Sequence, residues 1–198
     1  MPAVSKANRG PSAGPENRRA LVSAAREIFV DTGLHAPLSA VAKKAGVGQG
    51  SLYRHFPDRV SLAVAVFDEN IEELEALAER PESSLDDLLA LIIEQALVSK
   101  ALIDLITADI DDPRVAHLGT RVQDVVDTLV ARDREAGLLA AHVTGADVML
   151  AVSMLAGVLG WTPADRRPDT ARRAWALFHS AFSGPSAAPT TPGAAATS

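Results

Sequence analysis

Residues 38–60 read LSAVAKKAGVGQGSLYRHFPDRV and decide the fold of this chain. In the first half of this stretch, four apolar residues recur at the three- and four-residue intervals of one helix face: Leu38, Val41, Ala42 and Ala45. Gly46 follows them and permits the positive backbone dihedral that a tight turn between two helices needs. The stretch therefore predicts two short helices that are joined at this glycine.

The second of these helices is expected to begin at about Gly48 and to end before Pro57, because a residue that precedes proline is pushed out of helical geometry. Leu52 and Phe56 lie four residues apart and predict its buried side, so the polar residues around them project outward. Asp58 is expected to cap the helix that follows. Two short helices with a polar outer edge on the second are typical of the helix-turn-helix motif, which reads the major groove of DNA.

At these residues the chain resembles the TetR family of bacterial transcriptional regulators. The resemblance covers about a quarter of the chain and rests on the following runs at fixed offsets: Val41-Ala42, Ala45-Gly46-Val47, Gly50-Ser51-Leu52-Tyr53 and His55-Phe56. The chain departs from the family pattern at two places. Pro37 and Leu38 stand where members often have a pair of threonines, and Ser51 replaces the commoner threonine, which removes a methyl group that could touch a thymine.

The motif predicts a set of DNA contacts. Gln49 and Ser51 are expected to reach base edges, with Gly50 allowing a close approach of the backbone. The side chains expected at phosphates are Tyr53, His55, Arg59, Ser39 and Lys43. The resemblance supports the matching positions among these, which are Gln49, Gly50, Ser51, Tyr53, His55 and Arg59. For Arg54 the sequence leaves two alternatives open, a contact with a guanine edge or a contact with a phosphate.

The distribution of charge agrees with this interpretation better than the formal net charge of -6 does. Residues 1–60 hold nine basic and four acidic side chains, whereas residues 61–198 hold ten basic and 21 acidic ones. A basic N-terminal part on an acidic remainder orients a protein toward phosphate and keeps the rest of its surface away from it.

Apolar periodicity predicts an all-α protein of about nine helices, with a three-helix DNA-binding head and a helical body for ligand binding and dimerisation. The expected helices cover residues 17–32, 38–45, 48–56, 58–80, 84–98, 100–110, 115–136, 144–159 and 169–182. Ser84 with Asp87, and Thr144 with Asp147, have the spacing of capping boxes. The expected organisation is a disordered tail over 1–16, a head over 17–60, a body over 61–183 and a second disordered tail over 184–198.

One motif offers few base contacts, so tight binding to one site normally needs two copies on a two-fold axis and a palindromic operator in double-stranded DNA. Residues 144–159, apolar nearly all round, and the aromatic stripe of the last helix carry more hydrophobic surface than a single subunit hides readily. The resemblance implies that the last two helices form a four-helix bundle between two subunits. A homodimer is therefore expected.

The resemblance also implies a small, largely apolar effector that enters the body, moves the connecting helix and releases the DNA, as in a repressor. The identity of the effector is not readable from the sequence. Candidate pocket residues are Phe67, Asn70, Ile71, Leu88, Ile92, Gln95, Leu102, Ile103, Ile106, Val122, Val126, Met149 and Ser153, with Thr107 as a further polar anchor. The alternative is an architectural or partner-binding helix-turn-helix protein that has a filled core and no ligand.

Other functions find little support in the sequence. The 198 residues contain no cysteine, no phosphate-binding glycine loop, no nucleophile elbow and no paired-histidine zinc motif, so neither an enzyme nor a cofactor is expected. The group of Asp104, Asp109, Asp111 and Asp112 with His117 lacks the glycine and the spacing of a calcium loop, and no metal is expected there. Neither a secretory signal nor a membrane-spanning stretch is evident, which predicts a cytoplasmic protein without a membrane partner.

Overall fold

The structure is a computed structural model that describes residues 13–99, 101, 103, 104 and 112–184. Within them the chain forms eight α-helices, which confirms the all-helical class and comes close to the predicted nine. These helices are α1 (Ala13–Thr32), α2 (Leu38–Ala45), α3 (Gln49–His55), α4 (Arg59–Ala78), α5 (Leu85–Val98), α6 (Pro113–Glu135), α7 (Gly145–Trp161) and α8 (Arg167–Phe182). Short 3-10 helices cover Gly33–His35 and Ala164–Arg166. Most of the helix predicted over 100–110, and nearly all of both predicted tails, lie outside the described residues.

Three helices begin earlier than the sequence predicts, and each has a proline in its first turn. α1 begins four residues before the expected start and includes Pro15, so residues 13–16 belong to a helix and not to a tail. Pro113 opens α6, and Pro168 is the second residue of α8. Proline is tolerated there because the first N–H groups of a helix have no partner within the helix, so the missing donor costs nothing.

Each of the three predicted helix caps is confirmed. The Asp58 carboxylate accepts a hydrogen bond of 2.7 Å from the backbone N–H of Ser61. Ser84 and Thr144 accept corresponding bonds of 3.2 and 3.3 Å from the third residues of their helices. These caps fix the starts of α4, α5 and α7, because each satisfies a donor that the helix itself leaves unpaired.

The first hydrophobic cluster holds the N-terminal helices together. It combines buried residues of α1, α2 and α3 with the first two thirds of α4, as far as Ile71. Leu118 of α6 and Ala101 join the same cluster, so the body contributes to the core of the head. Its three phenylalanines, Phe29, Phe56 and Phe67, are fully or almost fully buried.

α4 continues into a second cluster, in which Leu74 and Ala78 pack with α5, α6 and α7. The predicted limit between residues 60 and 61 therefore falls inside a continuous helix, and the proposed domain limits stay a prediction. Because the two clusters share α4, a displacement of this helix changes the packing of both.

Two consecutive residues of α6 hold the turn between α4 and α5. The Arg132 guanidinium donates to the backbone oxygens of Ala78, Arg80 and Ser83 at 2.8–2.9 Å, where a cation is favourable at the C-terminal end of α4. The buried Asp133 carboxylate accepts from the Leu85 N–H at 2.8 Å at the start of α5. Burial raises the pKa of Asp133. The two side chains thus cap the end of one helix and the start of the next.

The end of α8 is attached to the turn between α6 and α7. The Ala140 N–H donates to the Phe182 oxygen at 2.8 Å, and the Gly184 N–H donates to the Leu138 oxygen at 3.0 Å. Among the helices of the described residues, none is both long enough and apolar enough to cross a membrane.

Candidate nucleic-acid interface

The turn between α2 and α3 depends on Gly46. Its φ of 66° and ψ of 21° lie in the left-handed region, which side chains other than glycine rarely adopt. Its N–H bonds the Lys43 oxygen at 3.2 Å, and the Val47 N–H bonds the Ala42 oxygen at 3.0 Å. This pair of bonds is the Schellman pattern, which ends α2 and turns the chain toward α3. The predicted helix-turn-helix is therefore present in the structure.

α3 has a buried side and an exposed side, as its sequence predicts. Leu52 is fully buried and Phe56, directly after the helix, is 2% exposed, so both hold α3 on the core. Gln49, Gly50 and Tyr53 are exposed, whereas Ser51 is partly buried. A Cβ atom at Gly50 would meet nothing within 4 Å among the described residues, so packing against them does not require this glycine. The N-terminal half of α3 thus presents a polar edge with little side-chain bulk at its centre.

The side chains predicted to contact phosphates are distributed over α2, α3 and the start of α4. Ser39 and Lys43 are exposed on α2, and His55 is partly buried at the end of α3. The exposed Arg54 side chain donates from Nε to the Gly50 oxygen at 3.3 Å, which directs it back along its own helix. Lys44, beside Lys43, is paired with Glu27 at 2.7 Å, whereas Lys43 pairs with no carboxylate in the part of the chain that the structure describes.

Arg59 has a role in the structure that the sequence does not reveal. Its Nη1 donates a hydrogen bond to the backbone oxygen of Leu34, in the segment between α1 and α2. The side chain is partly buried and connects the start of α4 to the start of the helix-turn-helix. Its loss would therefore weaken the packing of the head as well as any contact with phosphate, so Arg59 is a poor choice for testing DNA contacts alone.

Arg18 of α1 was not among the predicted contacts, although it lies beside the recognition helix α3. Its guanidinium carbon is 5.4 Å from the centroid of the Phe56 ring, and the side chain is exposed. The sequence carries one signal for this position. Arg18 continues the stripe of Leu21 and Ala25 at helical spacing, so it lies on the face of α1 that packs on the head.

Ionic contacts join the body to the start of α4. Arg114, the second residue of α6, donates to both Asp58 carboxylate oxygens at 3.1 and 3.2 Å and to Asp112 at 2.7 and 3.0 Å. These bonds lower the pKa of Asp58, and they lower that of Asp112 to about 2. Asp104 accepts from the Leu34 N–H at 3.2 Å. We call the contacts of Arg114 and Asp104 with the head the head–body seam.

A second ionic group lies further along α4. The Arg121 guanidinium binds both carboxylate oxygens of Glu75 at 2.7 Å and also pairs with Asp68. Bonding to Arg121 lowers the pKa of Glu75. Such a two-bond pair fixes the direction of α6 along α4 because the planar guanidinium matches the carboxylate in one orientation.

The predicted pocket residues do not converge on one cavity in the described part of the chain. Phe67 and Ile71 belong to the first cluster, Leu88, Ile92 and Val126 to the second, and Ile103 to a third with residues of α7 and α8. Val122 packs against the first two clusters and Met149 against the second. Leu102, Ile106 and Thr107 lie outside the described residues.

The predicted polar anchors also differ from expectation. Ser153 is exposed and donates its hydroxyl to the Met149 oxygen at 2.9 Å, so it does not line the interior of the body in this structure, and its role in ligand binding stays a prediction. A hydroxyl one turn beyond a carbonyl on the same helix finds its acceptor there. Gln95 donates to the Asn70 oxygen at 3.4 Å and to Glu73 at 3.1 Å, so its amide joins α5 to the outer side of α4.

α7 has an exposed apolar face. Leu150, Met154, Val158 and Trp161 are 50–91% exposed, and Trp161 has the largest exposed fraction among them. An open groove of about 630 Å³ follows this face. It is lined by Met154, Gly157, Val158, Trp161, Thr162, Pro163, Arg166 and Thr170.

α3 presents an exposed polar edge, follows a tight turn after α2, and packs on a core of three helices. This arrangement is that of the helix-turn-helix DNA-binding proteins. Comparison with known proteins then specifies the family. Residues 21–66 match the model of the bacterial regulatory proteins of the TetR family. By this match, residues 21–66 resemble the DNA-binding segment of the TetR family, and the fold of the chain is similar to that of a solved TetR regulator.

Two curated relatives come from Mycolicibacterium smegmatis. The transcriptional activator FasR is 40% identical over 60 residues, which cover 30% of this chain and 27% of the relative. The transcriptional repressor KstR is 33% identical over 78 residues, or 39% and 38% of the two chains. The matched part therefore spans well under half of either relative.

The structural likeness extends much further along the chain. A TetR transcriptional regulator from Streptomyces coelicolor superposes with a TM-score of 0.59 at 25% sequence identity. The match covers 84% of this chain and 98% of that protein. The body helices therefore share the arrangement of this protein, although the matches to the curated relatives span only 60 and 78 residues.

The ion pairs of Arg114 predict a pH dependence of stability. In the folded state the pKa of Asp112 is lowered from its usual value of about 3.8 to about 2. The ionised carboxylate therefore stabilises the fold at pH values above 3.8, and this contribution is lost as the pH falls toward 2. The Arg114→Gln variant should thus have a lower Tm than the parent at pH above about 5, and the difference should shrink toward pH 2. Thermal unfolding followed by circular dichroism across this range measures it.

Arg172→Gln is the matched control, because Arg172 pairs with Asp169 on the exposed surface of α8 and exposed pairs contribute about 0–1 kcal/mol. A Tm difference for Arg114→Gln that stays constant between pH 6 and 2 would contradict the assignment to these carboxylates.

Proposed function

We propose that this protein is a sequence-specific transcriptional regulator that binds a palindromic DNA operator as a homodimer and represses transcription until a small, largely apolar ligand releases it. The observation that carries the DNA-binding part is the exposed polar edge of α3, held by buried Leu52 and Phe56 next to exposed Lys43, which has no ionic partner among the described residues. A short helix with this edge enters the major groove, and its N-terminal residues meet the bases.

In this proposal the N-terminal residues of α3 read the sequence. Gln49 suits an adenine edge, because its amide both donates and accepts, and Ser51 suits either donor or acceptor. Gly50 lets the backbone between them approach the groove. Lys43, Ser39, Tyr53 and His55 contact the phosphates on either side, which orients α3 without selecting a sequence.

The proposed dimer forms through α7 and α8. The exposed face of Leu150, Met154, Val158 and Trp161 is a large apolar surface for a lone subunit to leave in water. Gly157, beside the groove, lets a second helix approach closely. Two heads placed by such a dimer would reach half-sites about 34–36 Å apart, one turn of the duplex, or a multiple of this distance.

The proposed release acts through α4. This helix is part of both hydrophobic clusters and begins at the Asp58 cap, which Arg114 of the body contacts. A ligand that favours another position of α4 therefore acts on the head and on the head–body seam together. A coupling of about 1–3 kcal/mol between ligand and DNA is sufficient for a 5- to 150-fold change in affinity.

A second candidate function is favoured by the packing of the predicted pocket residues. Those that the structure describes are distributed over three packed clusters. A filled body is what an architectural or partner-binding helix-turn-helix protein without a ligand would have. Repression also rests on the family resemblance alone, since one of the two curated relatives is an activator and the other a repressor.

The DNA-reading role of α3 is tested with Gln49→Ala. Duplexes selected from random DNA by the parent protein should bind about 1–3 kcal/mol more weakly to this variant, while random duplex binds nearly unchanged, because only a base contact is lost. Fluorescence anisotropy at fixed salt measures both affinities.

Lys43→Gln is the control for this experiment, since it should weaken selected and random duplexes alike. Equal losses on both duplexes for Gln49→Ala would remove Gln49 from the base-reading set. Failure of the parent to select any sequence would overturn the DNA-binding proposal itself.

If the dimer forms through α7 and α8, substitution of Val158 should lower the mass of the protein in solution. Val158→Glu places a charge in the apolar interface, where it would be desolvated without a partner, so the variant should be a monomer. Light scattering coupled to size-exclusion chromatography determines the mass. Ala131→Glu adds the same charge to an exposed position of α6 and should remain dimeric. A monomeric parent, or a dimeric Val158→Glu variant, contradicts the proposed interface.

The ligand is tested by thermal shift against a library of apolar metabolites. A compound bound by the folded protein raises Tm, and in a sensor the same compound must weaken operator binding. In a promoter reporter the protein should lower transcription and the compound should restore it. Compounds that raise Tm without any change in operator affinity would favour the architectural alternative.

A further inference from the structure

We propose that Arg18 of α1 binds a backbone phosphate next to the recognition helix, so that the DNA interface extends beyond the helix-turn-helix onto the first helix. This proposal rests on the DNA-binding function proposed above. The proposed contact lies on α1, outside α2, α3 and the start of α4. The other side chains on this face of α1 pack in the hydrophobic core.

The position of the guanidinium is the first argument. It lies 5.4 Å from the centroid of the Phe56 ring, and Phe56 directly follows α3. The ring of His55 is 6.4 Å from the same aromatic ring, so Arg18 and His55 flank one side chain at the C-terminal end of α3. Phe56 is 2% exposed, so the ring is a fixed support and not a mobile surface group.

The lack of a protein partner is the second argument. Arg26 on the same helix pairs with Glu69, and Lys44 on α2 pairs with Glu27. Arg18, in the part of the chain that the structure describes, contacts no carboxylate and no hydrogen-bond acceptor. A guanidinium that stacks on a ring keeps its N–H groups at the edge, where they remain free to donate to an anion.

The location also indicates which part of DNA Arg18 meets. Base contacts of a helix-turn-helix come from the N-terminal residues of the recognition helix, here Gln49 to Ser51. Arg18 lies at the opposite end of α3 and on a neighbouring helix. Side chains that flank a recognition helix in this way meet the sugar–phosphate backbone, which carries no sequence information. The contact should therefore add to affinity for every duplex.

Full-length protein tests the proposal through the salt dependence of binding. A plot of log K against log salt has a negative slope, and each lost phosphate contact makes it less steep by about 0.9. Arg18→Gln should therefore make the slope of a dimer less steep by about 1.8. The affinities for a selected duplex and for random duplex should fall by the same factor. Arg18→Lys keeps the charge and should retain most of the slope. Arg134→Gln, an exposed change on α6, should leave the slope unaltered.

A second measurement uses the parent protein and does not depend on the folding of a variant. Phenylglyoxal modifies accessible arginines, and mass spectrometry quantifies the modification of each one. A selected duplex should protect Arg18 and leave Arg134 of α6 as reactive as in free protein. Equal modification of Arg18 with and without duplex would overturn the proposal.

Two further outcomes would also overturn it. An unchanged slope together with a lower Tm for Arg18→Gln would assign Arg18 to the stability of the head alone. A loss confined to the selected duplex would make Arg18 a base-reading residue. Failure of the proposed function is distinguishable from these outcomes, because the parent protein would then prefer no duplex sequence at all.

Discussion

α4 is buried along most of its length by two sets of helices, and the other features of the protein depend on this shared burial. Its N-terminal part, from Leu62 to Ile71, packs with the head, and Leu74 and Ala78 pack with the body. Burial of one leucine or phenylalanine side chain contributes about 1.5–3 kcal/mol, whereas an exposed ion pair contributes about 0–1 kcal/mol. Apolar packing therefore fixes α4 in place, and the ionic contacts of Arg114 and Arg121 orient it.

The two ends of α4 are held in different ways. The C-terminal end is bound by Arg132 through three backbone oxygens, and the next helix is capped by Asp133, so α6 fixes the whole turn. The N-terminal end carries the Asp58 cap and its half-exposed bonds to Arg114. Water and salt weaken such exposed bonds more than buried ones. The end of α4 nearest the recognition helix is thus the end whose attachment responds more readily to its surroundings.

Sequence patterns predicted those features that depend on neighbours along the chain. Gly46, the caps at Asp58, Ser84 and Thr144, and the buried side of α3 were all predictable, because each depends on spacing within a few residues. The starts of α1, α6 and α8 were not predictable in this way. A proline usually indicates the end of a helix, but the first turn of a helix tolerates it. The exposed position of Ser153 was missed because apolar composition nearly all round α7 does not indicate which side faces inward.

By itself, the sequence determined the class of this protein: an all-helical chain with a helix-turn-helix near its N-terminus, a basic head and an acidic body. Local backbone preferences and helical periodicity are sufficient for that. Only the tertiary structure decided which charged side chains are already paired. It engages Arg59 with the Leu34 carbonyl, Lys44 with Glu27 and Arg114 with Asp58. It also places Arg18 over the Phe56 ring, with no carboxylate partner among the residues that the structure describes. These contacts join residues 17–56 positions apart, and periodicity along one helix carries no information about partners at such separations.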